Sequence, residues 1–208
     1  YSGVEGAYGY IAARRMFPEA QLIAYPDFAA AHKAVEQGEA DSAVLPLENS
    51  YAGEVGAVMD LLFSGELYIN QVMDLEIDHS LLGVEGAAVD TVKTVVSHPQ
   101  ALRQCDDYIK RHGYATETYS NTALAAAHVR DVNDPTLAAI ASEEAAEVFG
   151  LRVLERGINT VRTNTTRFAA LSRTRSQPET TKKREDENFV LVFTVQNDAG
   201  SLAQTLNI

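Results

Sequence analysis

The chain has one cysteine, Cys105, and no tryptophan. A single thiol cannot build a disulfide framework, so the fold has to stand on its core. Cys105 sits between Gln104 and Asp106 in a helix-like stretch, which reads as packing rather than as a nucleophile and points to a reducing cytosol or plastid, with the cytoplasm expected. Long apolar runs are missing too. None approaches the ~18–20 residues of a bilayer crossing, no basic-then-apolar leader precedes Tyr1, and no membrane role is expected. Positive charge is scarce: 17 Lys and Arg against 29 Asp and Glu leave a net charge of −12. That balance excludes a nucleic-acid partner, because phosphate binding needs clustered cations. The histidines, His32, His79, His98, His112 and His128, have no ligand spacing with cysteine or acidic residues, so no metal site is expected. Neither G-x-G-x-x-G nor G-x-x-x-x-G-K-[ST] occurs, and the opening Gly3-Val4-Glu5-Gly6 alone is a weak phosphate signal.

What is present is apolar content, 46% of the chain, enough for one substantial core or two small ones joined by a hinge. Short apolar runs alternate with amphipathic helices closed by glycine, and such βα units imply an α/β fold. Leu22 to Tyr25 reads as a strand, Pro26-Asp27 as a helix start and Gly38 as its end. Val44 to Leu47 is the next strand. Glu48-Asn49-Ser50-Tyr51-Ala52-Gly53 then leads into a helix with Val55, Val58, Met59 and Leu62 on one face, closed by Gly65. Leu67 to Ile77 is a long alternating strand. A second set has strands at Thr94 to Val96, Thr116 to Tyr119 and Leu137 to Ala141. Its helices start at Pro99 and run to about His112, then follow Ser120-Asn121-Thr122, then follow Ser142 and end at Gly150.

Four strand ends carry hydroxyl or amide residues just before a helix: Glu48-Asn49-Ser50, Ser97, Asn121-Thr122 and Ser142. Open α/β sheets bind ligands at such ends, where helix N-termini offer N–H groups to anions. The same residues also serve simply as helix caps, and either role fits the pattern. From Arg173 to Asn188 almost nothing is apolar, which marks a linker at 173–188. Phe189 to Val195 is a fresh strand, Ser201-Leu202 starts a helix, and 189–208 is too little to bury a core, so it reads as the start of a further, truncated domain.

Several of these strings resemble one family. Leu45-Pro46-Leu47-Glu48-Asn49-Ser50 with Ala52-Gly53, Ser97-His98-Pro99-Gln100-Ala101-Leu102 with Gln104-Cys105, Asn121-Thr122-Ala123, Ala139 to Ser142 with Gly150-Leu151, and Asn164-Thr165-Thr166-Arg167-Phe168 resemble, in order, the motifs of prephenate dehydratases. The N-terminal signature, usually Gly-x-x-Gly-Thr-Tyr-Ser, departs from the pattern: it reads Gly3-Val4-Glu5-Gly6-Ala7-Tyr8-Gly9 and lacks a hydroxyl. Phe189 to Val195 with Asp198 to Ala203 is similar to the opening of an ACT domain.

The resemblance implies a fold of two α/β subdomains around a cleft, like type II periplasmic binding proteins. The catalytic domain would be 1–172, with subdomains 1–77 plus 160–172 and 78–159, and crossings near Ile77 to Leu82 and Arg156 to Thr163. It implies decarboxylative dehydration of prephenate to phenylpyruvate, toward L-phenylalanine, with no metal or organic cofactor. Thr166 would hydrogen-bond the departing hydroxyl. Arg167 would pair with a carboxylate or brace the site. Asn49, Ser50, Ser97 and Thr122 would anchor carboxylates and Gln100 would orient the substrate, while Phe168 packs beneath its strand at the site. Glu48 is either a rival proton donor, if burial raises its pKa, or a brace for its loop. Phenylalanine is the expected effector of the full-length protein alone, which is expected to be a homo-oligomer. The alternatives are an arogenate dehydratase and a non-catalytic hinged solute-binding protein.

Overall fold

The computed structural model describes residues 1–160, 164–176, 193, 195, 196 and 198–206. Helix α1 (Tyr8–Met16) and α2 (Phe28–Glu36) precede strand β1 (Ser42–Asn49), the two-residue β2 (Gly53–Glu54), α3 (Gly56–Ser64) and β3 (Tyr68–Glu76). The chain then enters β4 (Ser80–Gly83), β5 (Thr94–Ser97), α4 (Pro99–Gln104), α5 (Asp106–His112), β6 (Ala115–Thr118), α6 (Thr122–Val132), β7 (Leu137–Ala141), α7 (Glu143–Phe149) and β8 (Arg152–Glu155). It returns through β9 (Thr165–Ser172), and α8 (Ser201–Leu206) comes last among the described residues.

Two sheets result. One has the order β2-β1-β9-β3, and the other β6-β5-β7-β4-β8. In the second, β5 pairs parallel with both β6 and β7, as successive βα units require, while β4 and β8 close one side antiparallel. In the first, β9 runs antiparallel between β1 and β3. Each face of that sheet has its own apolar layer: Ile11, Ala12, Val44, Leu75 and Phe168 on one side, and Val35, Leu45, Val58, Ala169 and Leu171 on the other. Strands covered on both faces read as continuous apolar runs, as β7 does.

Local chemistry sets the helix starts. Asp27, Asn121 and Ser142 each accept a backbone N–H three residues on, as N-caps do. The single helix expected from Pro99 to His112 is two. Thr160, on the returning chain, donates its N–H to Gln104 O at 2.7 Å, and its hydroxyl accepts Asp107 N–H at 3.3 Å. Those backbone groups would otherwise bond within a helix, so it breaks at Cys105. The Cys105 side chain is fully buried and burial pushes its thiol up to about 12, which leaves it inert. The strand expected at Leu22 to Tyr25 shrinks to one parallel bridge, Ser2↔Tyr25, because the chain turns away at Gly3 with φ +97°. Helix α1 and strand β8 were not expected.

Residues 189–192 and 194, and the linker from 177 to 188, lie outside the described residues, as does the end of the expected second crossing, 161–163. Arg173 to Ser176, placed in the linker by composition, is held down: Asn70 at a bulge in β3 donates to Ser172 Oγ and Thr174 O, and accepts from the Ser176 N–H and hydroxyl.

The halves meet at two crossings that bond to each other. Ile77 N–H donates to Asn164 O at 2.7 Å, His79 N–H to Asn159 Oδ1 at 2.7 Å, and Asn159 Nδ2 to Ile77 O at 3.1 Å. The expected first crossing, Ile77 to Leu82, is shorter than expected, since Leu81 and Leu82 already belong to β4.

Candidate active site

A cleft of about 500 Å³ opens between the sheets. The first turns of three helices line it, through Tyr8 and Gly9 of α1, Gln100 and Ala101 of α4, and Thr122 of α6. Helix starts carry unpaired N–H groups and a positive dipole end, so the cleft suits an anion despite the acidic chain. Phe28, Val44, Pro46, Val55 and Ile77 supply apolar wall.

Strand register decides which motif residues enter. Asn49 pairs with Thr166, while Glu48 pairs with Arg167, which in turn faces Asp74 across β3. Neighbouring residues on a strand point to opposite faces, so one row faces the cleft and the next faces away. Strict alternation from Val44 and Pro46, both in the cleft wall, would have turned Glu48 inward. The ladder instead slips between Pro46 and Glu48, leaving Leu47 as the extra residue of a β-bulge. That slip turns Asn49 in and Glu48 out.

Asn49 is then fixed by its own loop. Its Oδ1 accepts Tyr51 N–H at 3.0 Å and Ala52 N–H at 2.9 Å, so its Nδ2 must point the other way. Nδ2 donates to Thr166 Oγ1 at 2.8 Å and to Asn164 Oδ1 at 2.7 Å. Because Thr166 Oγ1 accepts from Asn49, its own proton is available to a ligand. Thr166 is 8% exposed and lines the cleft, as do Gln100, Thr122 and Phe168. Phe168 also belongs to the core beneath β9, with Val44 and Leu75.

The other expected site residues are elsewhere. Glu48 and Arg167 stand on the outer face as partners in an ion-pair row: Arg167 makes two bonds to Asp74, at 2.8 and 3.0 Å, and one to Glu48 at 2.8 Å. Glu48 is half-exposed and paired with Arg167, on the opposite side of the strand row from Thr166 and the cleft. Ser97 is fully buried, and its hydroxyl donates to Ile140 O to tie β5 to β7. Ser50 binds the Thr165 backbone, accepting its N–H at the hydroxyl and donating its own N–H to Thr165 O, and does not line the cleft.

The Arg167 row gives a stability prediction. The guanidinium beside Asp74 holds its carboxyl below the usual aspartate range. A lowered carboxylate pKa contributes stability that is present above the unfolded value, ~3.9, and is lost as pH falls through the folded value. Arg167→Met should therefore cost about 1 kcal/mol or less at neutral pH, since these groups are half-exposed and water-screened. The difference from the parent should shrink on acidification, and turnover should change less than about threefold. Denaturant titrations at pH 7 and pH 3 check the first two, and a rate assay checks the third.

Sequence reading missed Tyr8, His79, His98, Gln104 and Asn164, all of which line the cleft. Tyr8 hydroxyl donates to Asp78 O at 2.7 Å and lies 3.1 Å from His79 Nδ1, whose other nitrogen is 2.9 Å from Gln104 Oε1. Burial holds the His79 imidazole below the usual histidine range and pushes the Tyr8 phenol well above its own, so both are neutral at neutral pH. His98 caps α4 by accepting Gln100 N–H at Nδ1, and burial lowers its pKa as well. Gln104 Nε2 and Asn164 Nδ2 are buried donors with no partner among the described residues. Period two along the strand could have found Asn164, two residues before Thr166; no comparable signal marks Gln104.

Two α/β halves around a cleft floored by paired crossings define the type II periplasmic-binding-protein-like class, here in the form taken by prephenate dehydratases. The chain belongs to the prephenate dehydratase family, whose model matches residues 1–176. It is 35% identical over 208 residues to arogenate dehydratase/prephenate dehydratase 2, chloroplastic, of Arabidopsis thaliana, an alignment covering 100% of this chain and 54% of that protein. The chain thus spans about half the length of the curated relatives it matches. The solved prephenate dehydratase of Arthrobacter aurescens, in complex with L-Phe, superposes with a TM-score of 0.78 at 30% identity, covering 87% of this chain and 62% of that one. A second solved structure, GqqA, described as a novel type of quorum quenching acylase, gives 0.77 at 34% identity, with 85% and 64% covered. Among the described residues no helix is long and apolar enough to cross a membrane.

Proposed function

We propose that this chain carries the active site of a prephenate dehydratase, a carbon–oxygen lyase that converts prephenate to phenylpyruvate, water and carbon dioxide. The observation that carries this reading is the polarity of Thr166. Its oxygen accepts from Asn49 Nδ2 at 2.8 Å, so its hydrogen is left to donate. Dehydration needs a donor at the departing oxygen, because hydroxide is a poor leaving group while formation of the aromatic ring supplies the driving force. As the proton moves, the Asn49 amide stabilises charge developing on the threonine oxygen. One proton is drawn from solvent per turnover, which restores Thr166.

An acylase reading asks for the reverse polarity, an acceptor that takes the Thr166 proton and makes the oxygen a nucleophile. Asn49 offers a donor there, which favours the dehydratase. Arogenate is kept as a second substrate because the Arabidopsis relative is named for both compounds.

The roles in this reading are Thr166 as donor, Asn49 as its orienting group, Gln100 and Thr122 at helix starts toward carboxylates, and Phe168 as wall, and their positions in the cleft lining support them. Glu48 and Arg167 brace the strand row behind. We take 1–176 as the catalytic domain, with subdomains 1–77 plus 160–176 and 78–159, then the linker 177–188, shortened by the residues that Asn70 holds, and the opening of an ACT domain at 189–208. Phenylalanine would act as effector, and a homo-oligomer would form, only in the full-length protein. The buried, inert Cys105 fits a reducing compartment such as the cytoplasm.

The test is turnover. Purified protein, with and without a strong chelator, should form phenylpyruvate from prephenate at equal rates, and the same preparation should be assayed on arogenate. Failure on both substrates, or loss that a divalent ion restores, would sink this reading.

A further inference from the structure

We propose that Asn164 is a substrate-binding residue that seats the ring carboxylate of prephenate, the group lost as carbon dioxide; this assignment presupposes the dehydratase reading above. The loop fixes its orientation. Tyr51 and Ala52 N–H groups both donate to Asn49 Oδ1, so Asn49 presents Nδ2 and Asn164 answers with Oδ1 at 2.7 Å. The Asn164 Nδ2 is thereby turned away from that bond. The residue is 3% exposed and lines the cleft, and this donor has no partner among the described residues. A buried amide donor without an acceptor is costly to keep, and a ligand oxygen arriving in the cleft would satisfy it.

Position agrees with chemistry. Asn164 precedes Thr166 by two residues, ~6.6 Å along an extended chain and on the same face. In prephenate the hydroxyl and the ring carboxylate occupy opposite poles of one six-membered ring, a comparable span. With Thr166 at the hydroxyl, Asn164 falls toward the carboxylate pole.

A neutral donor also suits this carboxylate better than a cation. The bond from ring to carboxyl carbon breaks and its electron pair enters the ring, while the bond to the hydroxyl oxygen breaks and its pair leaves on that oxygen. The oxygen takes one proton and departs as water, and the carboxyl carbon departs as carbon dioxide. The carboxylate thus loses its negative charge in the transition state. A fixed cation would hold the starting state more strongly than the transition state and raise the barrier, whereas an amide orients the group without trapping its charge. The described lining of the cleft includes amides, hydroxyls and imidazoles, together with one carboxylate, Glu54, and among these described residues no lysine or arginine.

Asn164→Asp replaces only the unpartnered nitrogen and keeps an oxygen for Asn49. Binding is measured by calorimetry in a Thr166→Val background, which blocks turnover, using prephenate and phenylpyruvate as probes; phenylpyruvate has lost the carboxylate in question. Asn164→Asp should weaken prephenate binding at least tenfold and phenylpyruvate binding less than twofold. Asn164→Ser, which removes the amide without adding charge, should give the same split, smaller in size, and covers the case in which the aspartate variant fails to fold. Equal weakening of both probes, or of neither, overturns the proposal. The split without any turnover by the parent protein would keep the Asn164 assignment and defeat the dehydratase reading. Normal parent turnover without the split would do the reverse.

Discussion

Thr166→Val is expected to lower kcat by a factor of about 10²–10³, the loss seen when one donor aimed at developing transition-state charge is removed, while leaving the protein folded. Valine keeps the branched shape of threonine and deletes only the hydroxyl. The cost to the fold should stay near one modest hydrogen bond, roughly 1 kcal/mol, because Asn49 Nδ2 retains Asn164 Oδ1 and the Thr165 carbonyl as acceptors. Thr166→Ser should recover part of the rate. Steady-state kinetics on prephenate, beside thermal unfolding of each variant, checks both halves. A valine variant turning over within threefold of the parent would mean that the departing hydroxyl takes its proton from another group.

The second large effect is expected from a change of one atom in the neighbouring side chain. Asn49→Asp keeps an oxygen for the Tyr51 and Ala52 N–H groups, so the loop should hold. The other oxygen then faces Thr166 Oγ1 and Asn164 Oδ1, where a donor stood. Thr166 must give its hydrogen to the new carboxylate, and its polarity toward the ligand reverses. The rate should fall about as far as in Thr166→Val, by roughly 10²-fold or more. The double variant should be little worse than either single one, because groups acting as a unit are strongly non-additive. Additive losses would show that Asn49 acts on the substrate directly and not through Thr166. An Asn49→Asp enzyme of near-normal rate would count against the polarity argument altogether.

Much of this arrangement could be read from residues alone, and the misses have a common cause. Helix starts at Asp27, Asn121 and Ser142 were legible because a capping side chain and its target amide are three residues apart. The parallel part of the second sheet was legible because β5 and β7 are short apolar runs, and each parallel strand is followed by its own helix. Glu48 was misplaced because one extra residue, Leu47, inverts the facing of everything after it in β1, and nothing in Leu45-Pro46-Leu47 announces a slip in pairing. Pro46, with no N–H to give the ladder, hints at irregularity only in retrospect. Ser97 was read as a carboxylate anchor and instead donates to a strand carbonyl, while Arg167 takes the second of its two expected roles, the brace. Arg167 braces three strands and Ser97 fastens two, and such partners are distant in sequence. The break at Cys105 depends on Thr160, 55 positions later. Local pattern cannot reveal it.

The place of β9 has a consequence for how the protein is made. The strand bearing Thr166 is the last in chain order among the described residues, yet it occupies an interior position, between β1 and β3. A ribosome emitting the chain in order delivers β1 and β3 early, with a gap between them that no earlier segment fills in the finished fold. The second sheet, whose strands all lie between residues 80 and 155, contains its own pairings and can assemble first. The first sheet must wait for distant closure, the slow kind of contact. Until then two strand edges stand open, a state prone to wrong pairing. The donor threonine thus arrives on the strand that completes the sheet, so a chain interrupted before residue 165 lacks both the catalytic hydroxyl and the means to close its first half.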